Sequence, residues 1–172
     1  TTEIYTLSLH DALPISGSEI DDHHFTKLIE ECGLFVAADR YCYGSIPGRE
    51  EILHVNPDDP LQSVADHYLD VSQCPRFMSK EKVDGRGELI RELVRDYKAE
   101  GVVFEAMKFC EFWGYERALS SYILTNEHNI PTCTIEKEYV IGSYGQFRTR
   151  FQAFAESLEF KRQQRGGADV HS

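Results

Sequence analysis

The sequence predicts an α/β fold built on a parallel sheet, on three observations. From about residue 80 onward, short apolar runs alternate with amphipathic stretches of helical period. Their order is helix, strand, helix, strand, helix, with short links, which requires parallel strands joined by helical crossovers. Hydrophobic residues make up 41% of the 172 residues and aromatic residues 12%, enough to fill a core.

Each element follows from its local pattern. Phe25, Leu28, Ile29 and Cys32 fall at i, i+3, i+4 and i+7, one helix face. Asp21 or Asp22 supplies its cap and Gly33 stops it. The run LFVAA (34–38) suits a buried strand, and the loop DRYCYGSIP (39–47) follows. A long irregular stretch contains Pro57, Pro60 and Pro75, with one helix expected over 61–69. Leu89, Ile90, Leu93, Val94 and Tyr97 mark a second amphipathic helix. GVVFE (101–105) is a strand, and Tyr115, Leu119, Tyr122 and Ile123 mark the next helix. IPTCTI (130–135) is the following strand. Phe147, Phe151, Phe154 and Leu158 mark the last helix, before a Gly-rich, polar tail over 164–172 that is expected to be disordered. The run 34–38 either joins the two later strands, or the sheet is completed by chain outside this sequence.

Charge and cysteine usage exclude several functions. Eighteen Lys and Arg against 29 Asp and Glu leave a formal charge of −11, which repels phosphate, so neither nucleic acid nor an anionic membrane is expected as a partner. No apolar run approaches the roughly 18 residues of a membrane span. Five cysteines with no CxxC pair, and no recognisable secretory leader, suggest free thiols in a reducing cytosol. There is no P-loop, GxGxxG after a strand, GxSxG or HExxH.

Residues 1–16 stand apart. The stretch YTLSLHDALPI (5–15) resembles one reading frame of a common sequencing-adapter oligonucleotide, so residues 1–16 are set aside as non-native. Residues 17–80 then read as the remnant of a preceding α/β domain with its linker. Residues 81–163 form a C-terminal α/β domain.

Ligands of parallel sheets collect at the carboxyl ends of strands. Cys42 and Cys110 each follow a predicted strand closely, whereas Cys32 and Cys133 fall at packing positions and Cys74 lies in a loop. A cysteine at a helix start beside Lys108 is expected to have a lowered pKa, serving a nucleophile, a redox thiol or a metal thiolate. A plain helix-start thiol fits the same pattern. The last helix enters through Gly145-Gln146-Phe147-Arg148-Thr149-Arg150. Two arginines there either bind an anion or pair with carboxylates such as Glu136 or Glu138. Asp21-Asp22-His23-His24 reads as ordinary helix capping, with the two imidazoles pointing apart.

Four segments carry a resemblance to a known family. GVVFEAMKFCE (101–111), Asn129-Ile130-Pro131, Glu136 to Tyr139 and GQFRTRFQAFAE (145–156) resemble the C-terminal part of the 2-hydroxyacyl-CoA dehydratase and benzoyl-CoA reductase family. Asp39-Arg40-Tyr41-Cys42-Tyr43-Gly44-Ser45 and Cys74-Pro75 resemble its preceding region. The resemblance implies Rossmann-like, three-layer domains within a larger multi-domain subunit. It implies a [4Fe–4S] cluster held by three cysteines, of which Cys110 matches the third. It also implies a related second iron–sulfur subunit, a separate ATP-hydrolysing iron–sulfur activator and an acyl-CoA substrate. In dehydratases of the family one electron makes a ketyl radical on the thioester, which expels the hydroxyl; in benzoyl-CoA reductases electrons reduce the aromatic ring.

On this resemblance Lys108, Glu111, Gln146, Arg148 and Arg150 are candidates to flank the cluster or meet the thioester. Cys42, Gly44, Ser45 and Cys74 are candidates to line a pocket. The first two cluster ligands have no counterpart in this chain. Glu111 stands where many dehydratase-type relatives have Asp. With DRYCYGSIPG (39–48) and Trp113-Gly114-Tyr115, it tilts the reading toward the benzoyl-CoA reductase branch. One thiolate cannot hold a cluster, so the chain alone is expected to be inactive.

Overall fold

The structure is a computed structural model that describes residues 10–16, 23–41, 51–52, 54–70, 74–77, 79–138 and 144–168. Its elements run β1 (His10–Ser16), α1 (His23–Glu31), β2 (Leu34–Val36), α2 (Pro60–Asp70), α3 (Lys80–Asp96), β3 (Gly101–Met107), α4 (Glu111–Asn126), β4 (Thr132–Lys137) and α5 (Gly145–Ala168). Every expected helix and strand is present, with ends shifted by a few residues.

The four strands form one parallel sheet in the order β2-β1-β3-β4. Gly101 to Glu105 pair in register with Ala12 to Ser16, and Val102 to Met107 with Thr132 to Lys137. Strand 34–36 does join the later strands, but with β1 between them. The stretch set aside from the fold reading thus supplies an interior strand, which links β2 to β3. Pro14 has no N–H to give its neighbours, so this interior strand carries one donor fewer than an ordinary one.

The alternation of β3 divides the core in two. Val103 packs with Phe25, Leu28 and Ile29 of α1 and Phe151, Phe154 and Leu158 of α5. Val102 and Phe104 pack with Ile90 and Leu93 of α3 and Trp113 and Leu124 of α4. Burying one such side chain is worth about 1.5–3 kcal/mol, so these two clusters account for the main cohesion.

Local chemistry fixes the ends of the elements. Gly33 adopts φ 87°, the left-handed turn that ends α1, with its N–H on the Glu30 carbonyl. Ser79 caps α3 by accepting from the Lys82 N–H. Gly101 opens β3 directly beneath Phe154, where a β-carbon would lie 2.7 Å from the ring.

Helix α4 buries a face other than its aromatic stripe. Tyr115, Leu119 and Tyr122 are exposed, and the buried face is Trp113, Glu116, Ser120 and Leu124. The reason is an ion pair. Arg86 on α3 is fully buried and makes a two-pronged contact to Glu116, Nε to Oε1 and Nη2 to Oε2, each 2.9 Å. Its Nη1 donates to the Phe77 carbonyl at 2.9 Å. That pair turns Glu116 inward, and the aromatic stripe turns out with it.

Candidate functional site

The carboxyl end of β3 holds the candidate site. Lys108 anchors the chain as it leaves the strand, its N–H donating to the Lys137 carbonyl at the end of β4 at 2.8 Å. Phe109 then takes φ 69°, a left-handed conformation that costs a β-carbon residue about 1–2 kcal/mol. The turn closes with the Cys110 N–H on the Met107 carbonyl at 3.1 Å. Cys110 becomes the cap residue of α4, its carbonyl accepting from Gly114.

The Cys110 sulfur makes no capping hydrogen bond. The residue is half-buried and packs against the α3–α4 side of the core. A sulfur free of capping at the end of a parallel strand fits the requirement for one metal-binding thiolate. Among the described residues no group of three His, Cys, Asp or Glu is placed to hold a metal. Cys110 could offer a metal no more than one thiolate from this site.

The segment after β2 meets the same end of the sheet. Arg40 is fully buried, its guanidinium 5.4 Å from the ring centroid of Trp113 in the first turn of α4. Tyr41, also buried, feels the charges of Glu105 and Asp39. Burial first, then those carboxylates, hold its hydroxyl protonated far above the usual tyrosine range. Glu105 itself is buried at the end of β3 and pairs with buried Lys137 of β4 at 2.6 Å. The Lys137 ammonium lies 4.3 Å from the ring centroid of Phe25. Asp39-Arg40-Tyr41 thus reaches Trp113 in the first turn of α4 on one hand and feels the buried Glu105 charge on the other. Sequence reading missed Arg40, Glu105, Lys137, Arg86 and Glu116. The available signal was a charged residue inside an apolar run or on an apolar helix face, as in GVVFE.

The remaining candidates are dispersed. Lys108 directs its ammonium to Glu138 at 2.6 Å rather than to the Cys110 sulfur, and that carboxylate raises its pKa. Glu111 is exposed in the first turn of α4, where a carboxylate suits the helix dipole. Arg148 pairs with Glu31 of α1 at 2.7 Å, not with Glu136 or Glu138, and the pairing lowers the Glu31 pKa. Arg150 donates to the Thr134 carbonyl at 3.1 Å along β4. Both side chains are thus committed to protein partners, and neither touches Cys110. Gln146 is exposed at the start of α5. Cys74 is half-buried in a turn, its carbonyl accepting from Phe77. Cys42, Gly44 and Ser45 lie outside the described residues.

Cys32 and Cys133 are packing residues, as their positions predict. Burial raises the Cys32 thiol and pushes Cys133 to about 11. His23 and His24 do not point apart: their rings lie 3.9 Å between centroids, both exposed at the start of α1. No helix among the described residues is long and apolar enough to cross a membrane.

Comparison with known proteins covers nearly the same stretch. Residues 12–158 match the profile of the family described as 2-hydroxyglutaryl-CoA dehydratase, D-component. The chain is 28% identical over 145 residues to the (R)-phenyllactyl-CoA dehydratase beta subunit of Clostridium sporogenes, covering 83% of this chain and 37% of that protein. It is 26% identical over 133 residues to a benzoyl-CoA reductase subunit of Thauera aromatica, covering 77% and 34%. It is 23% identical over 146 residues to the lactoyl-CoA dehydratase beta subunit of Anaerotignum propionicum, covering 84% and 37%. The chain thus spans little more than a third of the length of these relatives.

Proposed function

Because the chain belongs to the 2-hydroxyglutaryl-CoA dehydratase D-component family, we propose that it is part of an iron–sulfur subunit acting on an acyl-CoA thioester, of the benzoyl-CoA reductase branch. The observation that carries the reading is Cys110, capping α4 at the carboxyl end of β3 with its sulfur making no capping hydrogen bond. Cys110 would supply one thiolate of a [4Fe–4S] cluster, with the other ligands contributed by chain beyond this sequence. When bound, that cluster supplies single electrons at low potential.

This chain's own residues hold the thiolate in place and limit water around it. Cys110 packs against the cluster that contains Phe104 and Trp113, and the tight turn at Phe109 leads into it. The larger assembly includes a related second iron–sulfur subunit and a separate ATP-hydrolysing activator. The relatives are themselves subunits of a dehydratase and of a reductase, which supports a multi-subunit complex. A larger subunit of Rossmann-like domains, to which this chain contributes a part, belongs to the same proposal.

The dehydratase branch is the second reading, favoured by the 28% identity to a phenyllactyl-CoA dehydratase subunit. Glu111 and the Trp113-Gly114-Tyr115 sequence favour the reductase. Anaerobic assay of the complete complex with its activator separates them. Oxidation of the electron donor with benzoyl-CoA supports the reductase reading. Dehydration of a 2-hydroxyacyl-CoA without net donor consumption overturns it in favour of the dehydratase.

A further inference from the structure

Arg40 is fully buried, a position that costs a guanidinium several kcal/mol of hydration unless the fold uses it. Its planar group stands 5.4 Å from the ring centroid of Trp113, the third residue of α4, which is 2% exposed. The start of α4 needs such support. Its cap residue, Cys110, makes no side-chain capping bond, and the residue before it holds a left-handed backbone. Neither feature steadies the first turn from within the helix. Trp113, seated against Arg40 on one side and the α3–β3 core on the other, steadies it from outside.

We propose that Arg40 is the positioning residue of Cys110: through Trp113 it fixes the first turn of α4 and with it the direction of the thiol. The inference deepens the reading of Cys110 as a ligand, for which a fixed direction matters most. Tyr41 is buried as well and feels the Glu105 charge, so both residues of the short Arg40-Tyr41 segment are seated in the interior. This makes Arg40 a firm support, since it cannot shift without disturbing its buried neighbour.

The test uses thiol alkylation in the complete subunit after its cluster is removed, with each cysteine mapped by mass spectrometry. Arg40→Met keeps the volume and removes the cation from the ring. Alkylation of Cys110 is expected to rise several-fold, and Arg40→Lys to restore most of the protection. Cys32 and Cys133 pack against the other core and are expected to keep their rates. No change at Cys110, or equal acceleration at all three cysteines, overturns the proposal. Should Arg40→Met fail to fold, Trp113→Phe carries the same expectation at smaller amplitude. In the complete subunit, Arg40→Met is expected to change the electron paramagnetic resonance line shape while most of the iron stays bound. Loss of iron in Cys110→Ser is a separate measurement, so failure of the ligand reading and failure of the Arg40 role are told apart.

Discussion

At the scale of single residues, the Arg86–Glu116 pair shows how one buried contact sets the face of a helix. A buried pair broken on one side leaves an uncompensated charge, which costs about 3–5 kcal/mol. Glu116→Gln is therefore expected to lose stability of that order in urea unfolding. The double change Arg86→Met with Glu116→Leu is expected to recover most of it. If the single change costs no more than a surface substitution, the pair does not organise α4. Cys133 offers a second test at this scale. Its thiol stays protonated in the fold to about pH 11, whereas an unfolded thiol ionises near pH 9. The unfolded chain thus sheds its proton first. Stability from this group is complete below pH 9 and declines as pH rises toward 11. Urea midpoints between about pH 8 and 11 are expected to fall less steeply for Cys133→Ala than for the parent.

At the scale of elements, most of the fold was legible because it rests on period. The spacing of Phe25, Leu28 and Ile29 corresponds to the buried face of α1, with Cys32 buried just past its end, and GVVFE to β3. Helix α4 was legible as a helix but not in its orientation. Its aromatic residues outweigh its buried face in any count of hydrophobicity, while Glu116 is buried only because Arg86 waits thirty residues away. A pairing of that range leaves no periodic trace. Polar replacement of Tyr115 or Tyr122 is accordingly expected to change stability by no more than about 0.5 kcal/mol, read from the urea midpoint. Gly101 is the opposite case. With Phe154 overhead, Gly101→Ala is expected to cost about 1–3 kcal/mol, the range of an overpacked core.

At the scale of the whole molecule, the sheet joins segments that the sequence read as separate. β1 and β2 come from the first forty residues and β3 and β4 from beyond residue 100, yet they share one hydrogen-bonded sheet. The candidate site was legible at Cys110, since a cysteine just after a strand marks the functional edge of a parallel sheet. Its support was not, because Arg40 reaches Trp113 across more than seventy residues of chain. The arginines of α5, which the sequence set near that site, instead tie α5 to α1 and β4. The central claim remains that Cys110 is one ligand of an iron–sulfur cluster in the complete subunit. The most direct measurement is iron per subunit and electron paramagnetic resonance, taken anaerobically on the complete subunit with its partner, for the parent and Cys110→Ser. Loss of most of this subunit's cluster iron and its signal is the predicted result. Unchanged iron with an unchanged spectrum would contradict the account.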